Sequence, residues 1–188
     1  MRRIILALIL ALFTLQPSLY AMHHAGGSSS VSDIYVGVEA GAAFFGGGSN
    51  PFIGKAYFGY REDIFSVEAA YFESAQGNDS NSTAWAKIRG GDLTFKVAPF
   101  ANNGFEYFYI HAGGHYSQLK AGATSYTWGG SYTWSGKTDG VGWLAGAGLE
   151  LPITESISAR AGYSYYGALA GVKGLETDII TGGVHIKF

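Results

Sequence analysis

Two histidines and a serine, His111, His115 and Ser117, fall on the same side of one predicted strand, and Asp139 lies where the next predicted strand begins. Histidine, serine and aspartate are the residue types of hydrolases that attack a substrate through an activated hydroxyl. The spacing here is not diagnostic of such a site, and the sequence has no Gly-x-Ser-x-Gly nucleophile elbow. We therefore predict that the chain is not an enzyme.

Charged residues also recur on one side of predicted strands whose other side is apolar, and acids and bases are in balance. This predicted interior polar network comprises Glu39, Lys55, Glu68, Asp92, Lys96, Glu150, Arg160 and Lys187. Buried charges must be paired, so the simplest interpretation is a polar core that neutralises itself. A gated ion path is the alternative. If Arg61 and Glu62 form the turn between the second and third strands, Lys55 lies directly opposite Glu68.

A six-residue duplication marks the third long connection, where residues 125–130 and 131–136 carry nearly the same sequence. Gly129 and Gly130 suit a two-residue hairpin turn, which would extend the flanking strands. Tyrosine, tryptophan, serine and glycine are also the residues of adaptable recognition surfaces. The predicted surface-contact residues are Tyr126, Trp128, Tyr132 and Trp134.

The N-terminus has the pattern of a secretory signal peptide. Arg2 and Arg3 precede an apolar run from Ile4 to Phe13, and a small residue, Ala21, marks the predicted cleavage site. The run is shorter than the ~20 residues that a spanning helix needs, which disfavours a membrane anchor. We predict a signal peptide at 1–21 and a short periplasmic segment at 22–31.

The composition favours strands over helices. The chain has 29 Gly, 13 Tyr and 12 Phe, a mixture that destabilises helices and suits strands and turns. Cysteine is absent, so neither disulfides nor thiolate metal sites are expected. No basic patch of the kind that binds nucleic acid is present. We predict neither a metal nor another cofactor.

Strand periodicity and connection lengths together predict the architecture. Apolar and polar residues alternate in eight runs between residues 32 and 188. Short connections at 61–63, 101–104 and 152–155 alternate with longer ones centred on 46–48, 77–86, 120–138 and 167–176. This alternation is typical of outer-membrane barrels. The prediction is an all-β, eight-stranded antiparallel up-and-down transmembrane β-barrel in which the last strand pairs with the first.

The C-terminal residues resemble the sorting signal of outer-membrane barrels. Thr181, Gly183, Ile186 and Phe188 fill its polar, glycine and hydrophobic positions. Residues 146–151 and 158–165 also resemble the sixth and seventh strands of the family that contains the outer membrane protein A barrel and the opacity-type surface antigens.

The resemblance implies a location and a role. The barrel would lie in the outer membrane of a Gram-negative bacterium, with both termini in the periplasm. Its partners would be outer-membrane lipid and lipopolysaccharide, the barrel assembly machinery during biogenesis and a possible host or extracellular ligand. The implied role is membrane-structural and surface-interacting, as in adhesins and surface antigens. A narrow ion channel and a lipid A-modifying barrel enzyme are the alternatives.

Overall fold

The computed structural model describes residues 32–45, 50–78, 84–99, 107–128 and 130–188, which form a closed antiparallel β-barrel of eight strands. The predicted fold class is confirmed. The strands are β1 Ser32–Phe45, β2 Phe52–Glu62, β3 Phe65–Ser74, β4 Ala84–Val97, β5 Phe108–Thr127, β6 Gly130–Pro152, β7 Ile157–Gly167 and β8 Thr177–Lys187. Beyond β3, the two residues Gly77–Asn78 also pair with β4. The predicted signal peptide and periplasmic segment, and the connections at 46–48 and 101–104, lie outside the described residues.

The strands form because their apolar residues occupy every second position, which places them on one face of a pleated sheet. Val38, Phe58 and Phe95 project outward and are exposed, as the alternation predicts. The residues between them project inward, among them Glu39 and Lys96, and these are buried. The outside of the barrel is thus apolar and its centre is polar.

Each strand pairs with the next one in sequence, and β1 closes the ring by pairing with β8. The closing seam runs from Tyr35 opposite Lys187 to Phe45 opposite Thr177. Beyond the last strand residue, the amide of Phe188 donates a hydrogen bond to the carbonyl of Ile34 at 2.9 Å. Closure leaves neither β1 nor β8 as an unpaired edge.

The turn between β2 and β3 corrects one predicted register. Glu62 lies opposite Phe65, so Asp63 and Ile64 form the turn rather than Arg61 and Glu62. Asp63 adopts a left-handed conformation with φ 52°, which aspartate tolerates better than most residues.

The shifted turn moves every partner on β3 by four positions. Lys55 lies opposite Phe72, and Gly59 rather than Lys55 lies opposite Glu68. The predicted pairing of Lys55 with Glu68 across the sheet is therefore wrong.

The two ends of the barrel differ. One end carries the connections β2–β3, β4–β5 and β6–β7, and we call it the short-turn end, although ten residues separate β4 from β5; the other end, the long-loop end, carries the other four. At the long-loop end, β5 and β6 pair continuously from Phe108 opposite Leu149 to Thr127 opposite Gly130. The predicted loop at 120–138 is therefore a hairpin of two long strands. No helix in the described part of the chain is long and apolar enough to cross a bilayer.

The loop between β7 and β8 folds back toward the barrel mouth. A 3-10 turn at Leu169–Gly171 buries Leu169 and Ala170, and the amide of Ala170 donates to Ser117 Oγ at 2.8 Å. Ala168 and Ala170 both have φ 52°, a strained conformation for alanine. The hydrogen bond and the burial of Leu169 hold this strained turn in place.

We predict that Gly183→Ala weakens the β1–β8 seam. A Cβ at Gly183 would lie 2.0 Å from the backbone oxygen of Val38, so the strands must separate. The expected cost is about 1–3 kcal/mol, the usual range for overpacking. The measurement is the urea concentration at which the purified barrel unfolds in detergent micelles.

The matched control is Gly182→Ala on the same strand. Its Cβ would meet Arg160 O at 3.8 Å, an ordinary contact, so its unfolding midpoint should stay at the wild-type value. Equal midpoints for the two variants would contradict the close approach at the seam.

Candidate functional site

The centre of the barrel interior is built around the carboxylate of Glu68 on β3. Its side chain is 1% exposed and accepts hydrogen bonds from both terminal nitrogens of Arg160, at 2.8 and 3.0 Å. Lys96 also donates to Oε1, and Tyr35 Oη donates to the same atom at 2.8 Å. Residues from β1, β3, β4 and β7 therefore converge on one buried carboxylate.

Arg160 joins this centre to a second acid. Its Nε lies 3.0 Å from Glu39 Oε1, and Thr181 Oγ1 donates to Glu39 Oε2 at 2.9 Å. The guanidinium also lies over the rings of Tyr57 and Tyr109, at 4.6 and 4.9 Å from their centroids. Cation–π contacts of this kind compensate a buried cation for part of its lost hydration.

A third acid, Glu150, lies among basic side chains nearer the short-turn end. Arg61 Nη2 lies 2.7 Å from Glu150 Oε2, while His185 Nε2 and Lys187 Nζ lie 3.3 and 3.7 Å from Oε1. Sequence reasoning missed Arg61 because it assigned this residue to the turn. The correct turn at Asp63 returns Arg61 to β2, where alternation places it inside.

A fourth acid lies nearer the long-loop end. Asp92 Oδ2 is 3.0 Å from Lys55 Nζ and accepts a hydrogen bond of 2.7 Å from Tyr166 Oη. All eight charged residues predicted for the interior are thus found there, each with an oppositely charged neighbour. Some of these ion pairs join adjacent strands and others cross the lumen. Together they fill this part of the lumen.

Above Asp92, toward the long-loop end, the interior becomes apolar. This apolar plug comprises Ala43, Ile53, Phe72, Ile88, Leu144, Tyr166, Leu169 and Ile179. Its side chains come from seven strands and from the β7–β8 loop. Strand alternation could have placed the strand residues inside, but not Leu169, because a loop residue has no periodicity.

One small cavity lies within the described part of the interior. A cavity of about 10 Å³ lies beside Glu39, Lys96 and Arg160, which is room for about one water. Two buried atoms of residues that line it, Thr94 Oγ1 and His111 Nδ1, have no hydrogen-bond partner in the described part of the protein. A single bound water would satisfy polar atoms here, whereas a row of ions would not fit.

The predicted histidines and serine bind different partners rather than one another. His111 Nε2 lies 3.0 Å from Ser164 Oγ, and His115 Nε2 lies 3.1 Å from the carbonyl of Gly167. Ser117 Oγ holds the β7–β8 loop, as described above. Asp139 is exposed and accepts a 2.5 Å hydrogen bond from Tyr116 Oη, so it is remote from the interior histidines.

Metal binding finds no support in the described residues. Within them, no group of three or more His, Asp or Glu side chains is placed to hold an ion.

The predicted surface-contact residues lie on the β5–β6 hairpin. Trp128, at its tip, is fully exposed, while Tyr132 and Trp134 are 71% and 55% exposed. The side chain of Tyr126 lies outside the described part of the structure.

The four residues of the predicted sorting signal occupy the end of the chain, on β8 and just beyond it. Thr181 and Gly183 point inward, where Thr181 binds Glu39 and Gly183 permits the close seam. Ile186 and Phe188 point outward and are 45% and 76% exposed. The C-terminal aromatic ring is therefore available at the outer surface near the short-turn end.

Several solved structures are similar to this chain. Neisserial surface protein A is 18% identical, with a TM-score of 0.51 over 86% of this chain and 100% of that one. Ail, the attachment invasion locus protein of Yersinia pestis, in complex with the heparin analogue sucrose octasulfate, is 14% identical, with a TM-score of 0.53 and the same coverage. A major outer membrane protein from Thermus thermophilus is 14% identical, with a TM-score of 0.57 over 82% and 99%.

The chain has the fold of the small outer-membrane β-barrels. No family model matches the sequence, and no curated protein matches it. The fold is therefore established through structure at low sequence identity.

The outer face agrees with a membrane location. Between the two ends, the outward side chains of the barrel are apolar and exposed, including Val38, Phe58, Leu93, Phe95, Ile110, Val141, Val184 and Ile186. A continuous apolar exterior on a closed barrel suits hydrocarbon, in which every backbone polar group must be paired internally. The protein is therefore an outer-membrane barrel.

We predict that Glu68→Ala destabilises the folded barrel strongly. The substitution leaves Arg160 and Lys96 without their shared carboxylate, and uncompensated buried charge costs about 3–5 kcal/mol. Urea titration in detergent micelles, followed by mobility on an unheated gel, measures the loss.

Glu73→Ala on the same strand serves as the control. Glu73 pairs with Lys87 at 2.5 Å, but both side chains are 40% exposed, so solvent screens the pair and its loss should barely move the unfolding midpoint. Similar losses in the two variants would contradict a central role for Glu68.

Proposed function

We propose that the protein is a surface-contact barrel, in which the closed barrel is the membrane anchor and the β5–β6 hairpin contacts partners outside the cell. The single observation that carries this proposal is the exposure of tryptophan and tyrosine on a hairpin that extends beyond the membrane. The interior supports a structural role for the barrel, because its charges are paired and its upper part is filled by the apolar plug.

The hairpin is much longer than a bilayer requires. β5 has 20 residues and β6 has 23, whereas a tilted strand crosses hydrocarbon in about 9–11 residues. About half of each strand therefore projects past the membrane. Continuous pairing between these strands makes the projection a ribbon with fixed side-chain positions rather than an open loop.

Two of the aromatic side chains share one face of this ribbon. Tyr132 and Trp134 are two residues apart on β6, so they lie on the same side, which continues the interior face of the barrel. The residue opposite Trp134 is Ala123, a small side chain that leaves the indole uncovered. Large rigid aromatic rings bury area against a partner at low entropic cost, which favours recognition.

Attachment is the form of contact to test first. Among the proteins of the same fold, Ail is an attachment invasion locus protein and has been seen with a heparin analogue. Sulfated glycans are therefore a sensible probe beside cultured host cells and extracellular matrix. The low identity means that the contact residues of this chain have to be identified on its own hairpin.

The C-terminal strand supports a second part of the proposal, recognition by the barrel assembly machinery. Ile186 and Phe188 present apolar side chains outward at the end of the chain, where another protein can contact them before the seam closes. Thr181 and Gly183 face the interior and contribute to the β1–β8 seam instead.

We predict that replacing Trp128, Tyr132 and Trp134 together by alanine reduces binding of barrel-expressing bacteria to host cells, matrix or a sulfated glycan array by about tenfold or more. A loss of this size corresponds to about 1.4 kcal/mol, which is modest for three exposed aromatic anchors. Bound cells are counted after washing, and folding is checked by the mobility of the unheated protein on a gel.

A second triple variant replaces Ser131, Thr133 and Ser135 by alanine, on the opposite face of the same strand. That variant should bind as the wild type does. If both triple variants keep full binding to all three kinds of surface, the hairpin is not the contact site.

A further inference from the structure

Three lysines form a row across the outer surface at the long-loop end. Lys87 on β4 lies opposite Lys120 on β5, and Lys120 lies opposite Lys137 on β6. All three occupy outward positions of their strands. We call Lys87, Lys120 and Lys137 the lysine row.

The position of the row relative to the membrane follows from the strand below it. Tyr116 and Val141 are directly opposed on the outer face and belong to the apolar exterior. Lys120 is four residues farther along β5, which is about 13 Å at 3.3 Å per residue. With a strand tilt of about 45°, the row stands roughly 9 Å above the ring of Tyr116. Because Tyr116 belongs to the apolar exterior, the row lies outside the hydrocarbon, at or just above the depth of lipid headgroups.

The charge arrangement is unfavourable in the isolated protein. Directly opposed side chains have Cβ atoms about 5 Å apart, and like charges at such positions destabilise a sheet. Lys87 is balanced by Glu73 at 2.5 Å. Among the described residues, no carboxylate lies within ion-pair distance of Lys120 or Lys137. An external anion placed between these two ammonium groups would remove the repulsion.

The neighbouring layer does not neutralise the row. Asp139, which accepts a hydrogen bond from Tyr116, keeps its negative charge, but Arg89 in the same layer offsets it, with its Nε donating to Gln118 Oε1 at 3.2 Å. The outer surface of β4 to β6 is thus basic at this level.

The other side of the barrel is acidic at the same end. Glu176 and Asp178 stand there, hydrogen-bonded by Tyr165 and Tyr163 respectively. On the outward strand faces at this end, positive charge is therefore concentrated on β4 to β6, next to the hairpin.

We propose that the lysine row binds the phosphate groups of a phosphorylated glycolipid in the outer leaflet of the membrane. Lysine ammonium groups bind phosphate as point charges, and a lipid phosphate is held by its acyl chains at the depth of the row. The apolar exterior below Tyr116 accommodates those chains. The lipid thereby fixes the base of the hairpin, which goes beyond the contact role of the hairpin tip.

The test compares the full folded barrel with a Lys120→Gln/Lys137→Gln variant. Both are titrated in detergent micelles with lipid A carrying two phosphates, and lipid adducts are quantified by native mass spectrometry. Each basic side chain near an anionic lipid surface contributes a factor of about five, so the variant that lacks two should bind about twenty-fivefold more weakly. Lipid A freed of phosphate should bind both proteins weakly and equally.

Stability gives a second readout that a merely structural role would not produce. In phosphatidylcholine bilayers, the Gln variant should unfold at the same urea concentration as the wild type or at a higher one, because the opposed charges are gone. In bilayers that contain lipid A with two phosphates, the order should reverse. A Lys120→Arg/Lys137→Arg variant should behave as the wild type in both bilayers.

The control for charge alone is Lys173→Gln, which removes an exposed lysine from the β7–β8 loop and should change neither readout. Equal lipid affinity of the wild type and the Gln variant would overturn the proposal. So would equal binding of phosphorylated and dephosphorylated lipid, or displacement of the lipid by millimolar inorganic phosphate. None of these outcomes bears on the aromatic tip of the hairpin. Failure of the lipid-binding proposal would therefore leave the proposed contact role of the hairpin untouched.

Discussion

A strand that crosses hydrocarbon cannot leave its amides and carbonyls unpaired, because each unpaired group costs several kcal/mol where water is absent. The pairing of β1 with β8 meets this constraint, and the rest of the structure depends on it. The seam needs a close approach of two backbones, which Gly183 allows opposite Glu39. Once the ring is closed, its eight strands fix a lumen that side chains alone can fill.

Because the lumen is narrow, a charged side chain can lie inside only where an oppositely charged side chain reaches it. Glu68 is tolerated because Arg160, Lys96 and Tyr35 reach it from three other strands, and the contact from Arg160 on β7 crosses the lumen and needs the closed ring. The ion-pair network and the seam therefore support one another. Above the network, the apolar plug and Leu169 close the mouth, so the barrel provides a rigid base for the hairpin.

Strand faces were predictable from the sequence because period two is imposed by the pleat and the apolar exterior is uniform. All eight interior charges followed from that rule. The register of β2 against β3 was not predictable, because it depends on which residues form the turn between them. The strand pattern does not indicate that Asp63 adopts the left-handed conformation of that turn. The missed role of Arg61 and the wrong partner for Lys55 both follow from that one turn.

Other features need the folded barrel before they can be recognised. Leu169 becomes a plug residue because its loop turns inward. Lys87, Lys120 and Lys137 are far apart in the sequence, and they become one row only through two strand registers. The hairpin is one of two structures that the sequence predicts, since the repeated aromatic segment suits either a loop or extended strands.

The most direct test of the account is cross-linking at the seam in isolated outer membranes. The chain has no cysteine, so Val38→Cys with Val184→Cys introduces one pair at directly opposed outward positions of β1 and β8. Oxidation should link this pair within folded, membrane-embedded protein, while Val38→Cys with Ile180→Cys, offset by four residues, should stay unlinked. Absence of the link in the opposed pair, or equal linking in both, would contradict a closed barrel with this register.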